Sequence, residues 1–215
     1  MNEYSLKRQG QTNTILEKQT MNKILECPSQ ELRCKILQAC LTLFSTKGYF
    51  STSVDDIRRE AQISVGSVYN YFNNKEAIAV ALFDDLSTRM AKAMADIIAD
   101  YDSAHDRCRA AIEYLFECTE SNPEAMHFIF YAKHSEFLPE AKSICSSEPL
   151  TLMRQMLTDG IKSGEIKEMD TLVASACIFG IPLRMIRMRL DDVVPDPLPS
   201  YLETIWQHAW STVAA

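Results

Sequence analysis

The chain has 215 residues, 47% hydrophobic and 24% charged, enough to bury one substantial core or a small domain joined to a larger one, which excludes disorder throughout. Its formal net charge of -7 excludes a protein that coats nucleic acid indiscriminately, because such binders carry a strong basic excess. No run approaches the roughly eighteen uninterrupted apolar residues of a membrane span, and the opening MNEYSLKRQGQTN lacks the apolar centre of a secretory signal; a cytoplasmic address without a membrane partner is expected.

The average charge hides an asymmetry. Residues 1–76 hold ten Lys/Arg against eight Asp/Glu, whereas residues 77–215 hold twelve against twenty-one, so any polyanion is expected to meet the first third. Within that third, residues 1–28 carry Lys7, Arg8, Lys18 and Lys23 with few apolar anchors, and read as a disordered or weakly helical N-terminal arm. The alternative is a basic arm that touches the minor groove or the phosphates of bound DNA.

Helical periodicity dominates the rest, with no run of strict alternation bounded by turns, which predicts an all-α fold. Leu32, Ile36, Leu37, Cys40, Leu43 and Phe44 recur at three- and four-residue spacing and Gly48 supplies a stop, giving a helix over about 30–47. Two short helices follow near 54–61 and 65–71. A long one starts at the capping residue Asn74 and carries Ile78, Leu82, Leu86, Met90, Met94 and Ile97 to about Asp100. Further helices fit 104–121, 123–137, 147–163, 170–190 and 198–213, nine in all, separated by prolines and Gly164. Pro182 predicts a kink or a break inside 170–190, and the Arg184, Arg187 and Arg189 that follow it read for the most part as a solvated face, with pairing to Asp191 and Asp192 or to a partner subunit as the alternative.

The seven cysteines (27, 34, 40, 108, 118, 145 and 177) are odd in number, scattered and without a CxxC pair, so neither a disulfide framework nor a zinc knuckle is expected. Most read as small buried apolar residues; Cys34 with Cys40 and Cys108 with Cys118 leave a thiol sensor as an alternative.

The informative stretch is GYFSTSVDDIRREAQISVGSVYNYFNNKEAI, residues 48–78. Ser53 with Asp56 reads as a capping box, and Asp55 and Asp56 suit the positive end of a helix dipole. Ile57 and Ala61 face inward, Gln62-Ile63 turn the chain, and Ser64 caps a second short helix that buries Val68 and Phe72. Two short helices joined by a tight turn form a helix-turn-helix. A helix lying in the major groove needs slim residues in its first turn, which Val65, Gly66 and Ser67 supply. Val65 can touch a thymine methyl, Ser67 can donate or accept, Asn70 can make the paired contact to adenine, and Tyr71 can reach a base edge or a phosphate. Thr52, Ser53, Ser64, Tyr69 and Lys75 complete the expected DNA-binding set as backbone grips.

Gly48, Tyr49, Thr52, Ser53, Val54, Asp56, Ile57, Ala61, Ser64, Tyr69, Phe72, Lys75 and Glu76 stand in the order and spacing of the tetracycline-repressor family signature, which this stretch resembles over about thirty residues. The chain departs from that pattern at Gln62, where the family usually has a permissive residue and a side chain requires a costlier backbone angle, and in its long leader. The resemblance implies phosphate contacts for Tyr69 and Lys75. It also implies a helix-turn-helix domain over 29–76 and a ligand-binding and dimerisation domain over 77–215, whose last two helices pair with their copies as a four-helix bundle. Ile178, Phe179, Ile181, Leu183, Ile186, Leu202, Ile205, Trp206 and Trp210 offer apolar surface for such pairing or for ordinary core.

A ligand pocket is expected among Met90, Met94, Phe116, Met126, His127, Phe128, Tyr131, His134, Met153, Met156 and Cys177, which combine apolar bulk with a few polar tips. His127 and His134 are seven apart, not at the i,i+4 spacing of a metal pair, so no metal and no cofactor are expected. The reading is a non-enzymatic DNA-binding regulator, most simply a homodimeric repressor on a palindromic operator of double-stranded DNA, released by a small, mainly apolar or aromatic effector. A phosphate-binding glycine loop, a GxSxG elbow and an HExxH pair are all absent from the sequence, which argues against an enzyme. The alternatives are a ligand-independent architectural DNA-binding protein and a thiol- or metal-responsive regulator.

Overall fold

In the computed structural model, which describes residues 32–132, 137 and 147–215, every regular element is helical apart from one isolated antiparallel bridge between Ile166 and Ala214. The N-terminal arm and His134 lie outside the described residues. α1 (Leu32–Thr46) buries Ile36, Leu37, Cys40, Leu43 and Phe44, and Gly48, at φ 82°, turns the chain out of it where a side chain would be strained. α2 (Val54–Glu60) and α3 (Val65–Tyr71) have seven residues each, below the length at which a helix holds itself in water. Their caps and the burial of Ile57 and Val68 against α1 supply what propensity does not.

α4 (Lys75–Asp100) starts where Asn74 accepts the Ala77 N–H at 2.7 Å and runs for 26 residues, about 39 Å at the α-helical rise. Its first turns pack on α1, and its later ones on α5 (Ala104–Ser121) and α7 (Glu148–Ser163). α6 (Pro123–Tyr131) also packs against α1, so α4 and α6 are the helices that join the helix-turn-helix to the remaining core. α8 (Thr171–Leu190) is capped by the Asp170 carboxylate, which accepts the Leu172 and Val173 N–H groups. A 3-10 turn (Leu198–Tyr201) then leads into α9 (Leu202–Ser211). The nine α-helices of the described residues follow the expected order.

Three details depart from the expected boundaries. The helix expected over 123–137 ends at Tyr131, because Ala132 is extended at ψ 134°. The helix expected from 198 begins as a 3-10 turn over Leu198–Tyr201, and α9 starts only at Leu202. Pro182 does not break α8, which is continuous through it.

Arg189 is not a solvated charge. Its guanidinium grips Glu120 through two bonds at 3.0 and 2.9 Å and donates to the Val194 carbonyl, while Glu120 also accepts the Leu198 N–H at 3.0 Å. Burial raises the Glu120 pKa, but Arg189 and the Leu198 N–H outweigh it and the net shift is downward. The segment between α8 and α9 is thereby fixed to α5. Ile205 and Trp206 are buried within the chain, and the Trp206 indole N–H donates to His105 Nε2 at 3.0 Å. Ile178, Phe179, Ile186 and Leu202 are buried as well, whereas Ile181 is exposed. Most of the apolar surface assigned to pairing therefore belongs to this chain's own core.

Gly160 marks the tightest crossing. A Cβ there would lie 2.6 Å from Ala104 Cβ and 2.8 Å from Ile166 Cδ1, closer than carbon atoms approach. Gly160→Ala gains helix propensity yet overpacks α7 against α5, so it is expected to destabilise the protein by about 1–3 kcal/mol, read as a lowered midpoint in thermal unfolding followed by circular dichroism.

Candidate nucleic-acid interface and ligand cavity

α3 is held from behind and open in front. The Ser64 hydroxyl accepts the Ser67 N–H at 3.1 Å and shares a hydrogen with the Ser67 hydroxyl at 2.8 Å, while Val68 and Phe72 are buried. The outward face carries Val65, Gly66, Tyr69, Asn70 and Tyr71, all exposed. Tyr69, Asn70 and Tyr71 make no side-chain hydrogen bond among the described residues, so their polar groups are available to a partner. A Cβ on Gly66 would meet only the Ser64 hydroxyl, at 3.8 Å: the position faces open space, where a larger side chain disturbs an approaching surface and not the fold.

α2 begins at a complete capping box. The Ser53 N–H and hydroxyl both donate to Asp56 Oδ2, at 2.9 and 2.7 Å, and the Asp56 N–H donates to the Ser53 hydroxyl. Those bonds from Ser53 lower the Asp56 pKa to about 2. A carboxylate shifted down contributes stability that is complete above its ordinary value and is lost as pH falls through about 2, so this cap persists at any pH near neutrality. α2 ends in a Schellman arrangement: the Ile63 N–H donates to the Arg58 carbonyl at 3.0 Å and the Gln62 N–H to the Arg59 carbonyl at 3.2 Å. Gln62 occupies the left-handed position at φ 56°, the backbone angle that the sequence departure at this residue anticipates.

Thr52 is buried, and its hydroxyl donates to the Gly48 carbonyl at 2.9 Å. It closes the turn after α1 and presents no hydroxyl to a phosphate, which corrects the expectation of a backbone grip there. Lys75 lies against the same turn. Its Nζ donates to the Tyr49 carbonyl at 2.8 Å and sits 4.2 Å from the Tyr49 ring centroid, while the Tyr49 hydroxyl donates to Glu76 at 3.0 Å. The Glu76 pKa is lowered, first by its own backbone N–H and then by Tyr49. Lys75 is thus a tie between α4 and the turn, with two ammonium hydrogens left over.

A cavity of about 370 Å³ opens between α4, α5, α6, α7 and α8. Met90 and Met153 line it as the sequence leads one to expect, together with Phe83, Leu86, Leu183 and Arg187, which sequence reasoning missed. Met94, Phe116, Met126, Phe128 and Met156 are buried core and do not line it. His127 and Tyr131 stack on each other at 4.7 Å and line a separate groove beside the turn after α1, and Cys177 lines neither. Among the described residues no group of three His, Cys, Asp or Glu is arranged to hold a metal ion.

Residues 36–82 match the family model described as bacterial regulatory proteins, tetR family. The fatty acid metabolism regulator protein of Bacillus subtilis is 27% identical over 150 residues, covering 68% of this chain and 77% of that protein. Among solved structures, a TetR family transcription regulator from Marinobacter aquaeolei has TM-score 0.74 at 21% identity, covering 85% of this chain and 95% of its own. The transcriptional regulator FadR from Bacillus subtilis in complex with stearoyl-CoA has TM-score 0.67 at 22% identity, covering 82% and 97%. At these identities the solved structures establish the fold.

Among the described residues Cys40, Cys108, Cys118 and Cys177 are free thiols. Burial pushes the Cys40 thiol up and those of Cys108 and Cys118 up to about 12. Since the thiolate is the reactive form, iodoacetamide followed by peptide mass spectrometry is expected to label Cys40, Cys108 and Cys118 only in denaturant, and the half-buried Cys177 sooner. Labelling of all four at one rate in the folded protein would restore the thiol-sensing alternative.

Proposed function

We propose that this chain, which belongs to the tetR family of bacterial regulatory proteins, is a homodimeric repressor that grips a palindromic operator and is released by a small, mainly apolar effector. That it is a DNA-binding transcriptional regulator follows from its family and relatives. The observation that carries the finer reading is the outward face of α3, where slim and hydrogen-bonding residues stand exposed on a helix secured entirely from its other side. We divide the chain accordingly into a helix-turn-helix unit over 29–76 and an effector and dimerisation unit over 77–215, and read it as a cytoplasmic protein without catalytic activity.

Supporting an apolar effector are the cavity's lining of Phe83, Leu86, Met90 and Met153 and a relative solved with stearoyl-CoA, which together favour a fatty-acyl compound. Such a cavity counts against a purely architectural DNA binder. For dimerisation we turn to α8. Leu172, Val173, Ala176, Gly180 and Ile181 are exposed on it, and a Cβ on Gly180 would meet nothing, so a second helix can approach closely. α8 is also the one described helix long and apolar enough to cross a membrane by length and composition. Arg184, Arg187 and Arg189 crowd its last two turns, which does not suit a hydrocarbon interior. The exposed face of α9, with Glu203, Thr204, Gln207 and His208, supplies the polar rim such a bundle needs.

The test is selection of DNA from a random pool by the purified protein, with footprinting of the winners. A palindrome whose half-sites lie about one helical turn, roughly 34 Å, apart or modestly beyond is expected. Gly66→Leu is expected to abolish binding while leaving thermal unfolding unchanged, and Tyr69→Ala to weaken binding to every sequence alike. A folded Gly66→Leu protein that still binds the selected site would overturn the assignment of α3. Leu172→Glu with Ile181→Glu is expected to convert the dimer to a monomer in sedimentation analysis; a surviving dimer would move the interface off α8.

A further inference from the structure

Arg187 is the one charged side chain among the described residues lining the cavity, and it has no carboxylate within ion-pair distance among those residues. Its guanidinium instead donates to the Phe130 carbonyl at 3.3 Å and lies 5.9 and 5.8 Å from the Phe130 and Tyr131 ring centroids. Phe130 O belongs to the last turn of α6, where carbonyls lack helical partners, so Arg187 is the clasp that satisfies it. The same turn is tied to the end of α8 by the Tyr131 hydroxyl, which donates to Asp191 at 2.6 Å.

From that clasp α6 leads directly to the helix-turn-helix. Phe128 stacks on Phe44 of α1 at 6.0 Å, and the Thr42 hydroxyl donates to Glu124 at 3.2 Å. A guanidinium has a stronger alternative than a neutral carbonyl: a carboxylate or phosphate takes its planar fork through two charge-assisted bonds, each about twice as strong as a neutral one. Among the described residues the other polar side chains lining the cavity are Ser87 and Ser147, neutral hydroxyls that carry no countercharge for an anion.

We propose that the effector is an amphiphile with one anionic end, and that Arg187 both reads the anion and reports it. With the apolar body in the cavity, the anion draws the guanidinium off Phe130, the last turn of α6 keeps only the Tyr131–Asp191 tie to α8, and the α6–α1 contact that positions the helix-turn-helix loosens. This rests on the cavity being the effector site. The anion is a carboxylate in a free fatty acid and a phosphate in an acyl-CoA.

The experiment measures binding of palmitate, palmitoyl-CoA and cetyl alcohol, which share one chain length, to the wild type and to Arg187→Met by isothermal titration calorimetry. DNA release is then read on the selected site. Wild type is expected to bind at least one of the two anionic ligands about tenfold or more tighter than the alcohol, the better of the two naming the anion's source. Arg187→Met loses that preference while its alcohol affinity, the control for folding, is kept. Without ligand, Arg187→Met is expected to bind DNA about three- to tenfold more weakly, since its clasp is already absent, and to stop responding to either anion. Equal binding of acid, thioester and alcohol by the wild type, or a preference retained in Arg187→Met, overturns the role of Arg187 and leaves the cavity reading intact. Failure of all three to bind overturns both. A variant that binds DNA as the wild type does and still releases it with the anions overturns the clasp.

Discussion

A helix of seven residues such as α3 cannot hold itself in water, and the rest of the N-terminal architecture answers to that constraint. Every device that secures α3 lies behind it or at its ends: the Ser64 cap, the burial of Val68 and Phe72 against α1, and the Asn74 cap that starts α4 three residues after α3 stops. Because none of the holding is done from the front, Tyr69, Asn70 and Tyr71 keep their polar groups uncommitted. The same economy explains the turn. Gln62 takes a left-handed angle that costs a non-glycine residue about 1 kcal/mol, and the two Schellman bonds from Gln62 and Ile63 return a contribution of that order.

The tie formed by Tyr49, Lys75 and Glu76 extends the constraint to the long helix. Lys75 and Glu76 are the first two residues of α4, and both bind the turn after α1, one through the Tyr49 carbonyl and ring, the other through its hydroxyl. A tilt of α4 therefore carries α1, and with it α3, as one piece. The exposed face of α3 is then a rigid attachment to a helix about 39 Å long at helical rise, whose middle faces the cavity through Phe83, Leu86 and Met90.

Much of this was legible in the residues. Caps at Ser53, Ser64 and Asn74, the stop at Gly48 and the spacing of Ile57, Val68 and Phe72 are local signals, and local signals survive folding unchanged. Thr52 shows the limit: its place in the family pattern is real, but the pattern does not say whether a hydroxyl points to a phosphate or to the carbonyl four residues back. Trp206 shows another, because apolar surface looks the same whether its partner is His105 of the same chain or a second copy. The cavity was the least legible. Bulky residues such as Phe116, Met94 and Met156 are what fill space, whereas a cavity is what they leave over. Its wall joins α4 to Leu183 and Arg187, about a hundred residues further along the chain, and no periodicity within one helix reveals that meeting.

The polar and ring contacts between α6 and α1 are individually of the size that coupling between sites involves. Coupling between two sites is typically about 1–3 kcal/mol. One part-buried hydrogen bond, Thr42 to Glu124, contributes about 0.5–1.5 kcal/mol, and one stacked aromatic pair, Phe44 with Phe128, a similar amount. α6 has nine residues, too few to hold its own shape once its ends are released. Phe128 lies less than one turn from Phe130, so a change at the last turn passes to the Phe44 stack through whatever the Tyr131–Asp191 bond does not hold in place.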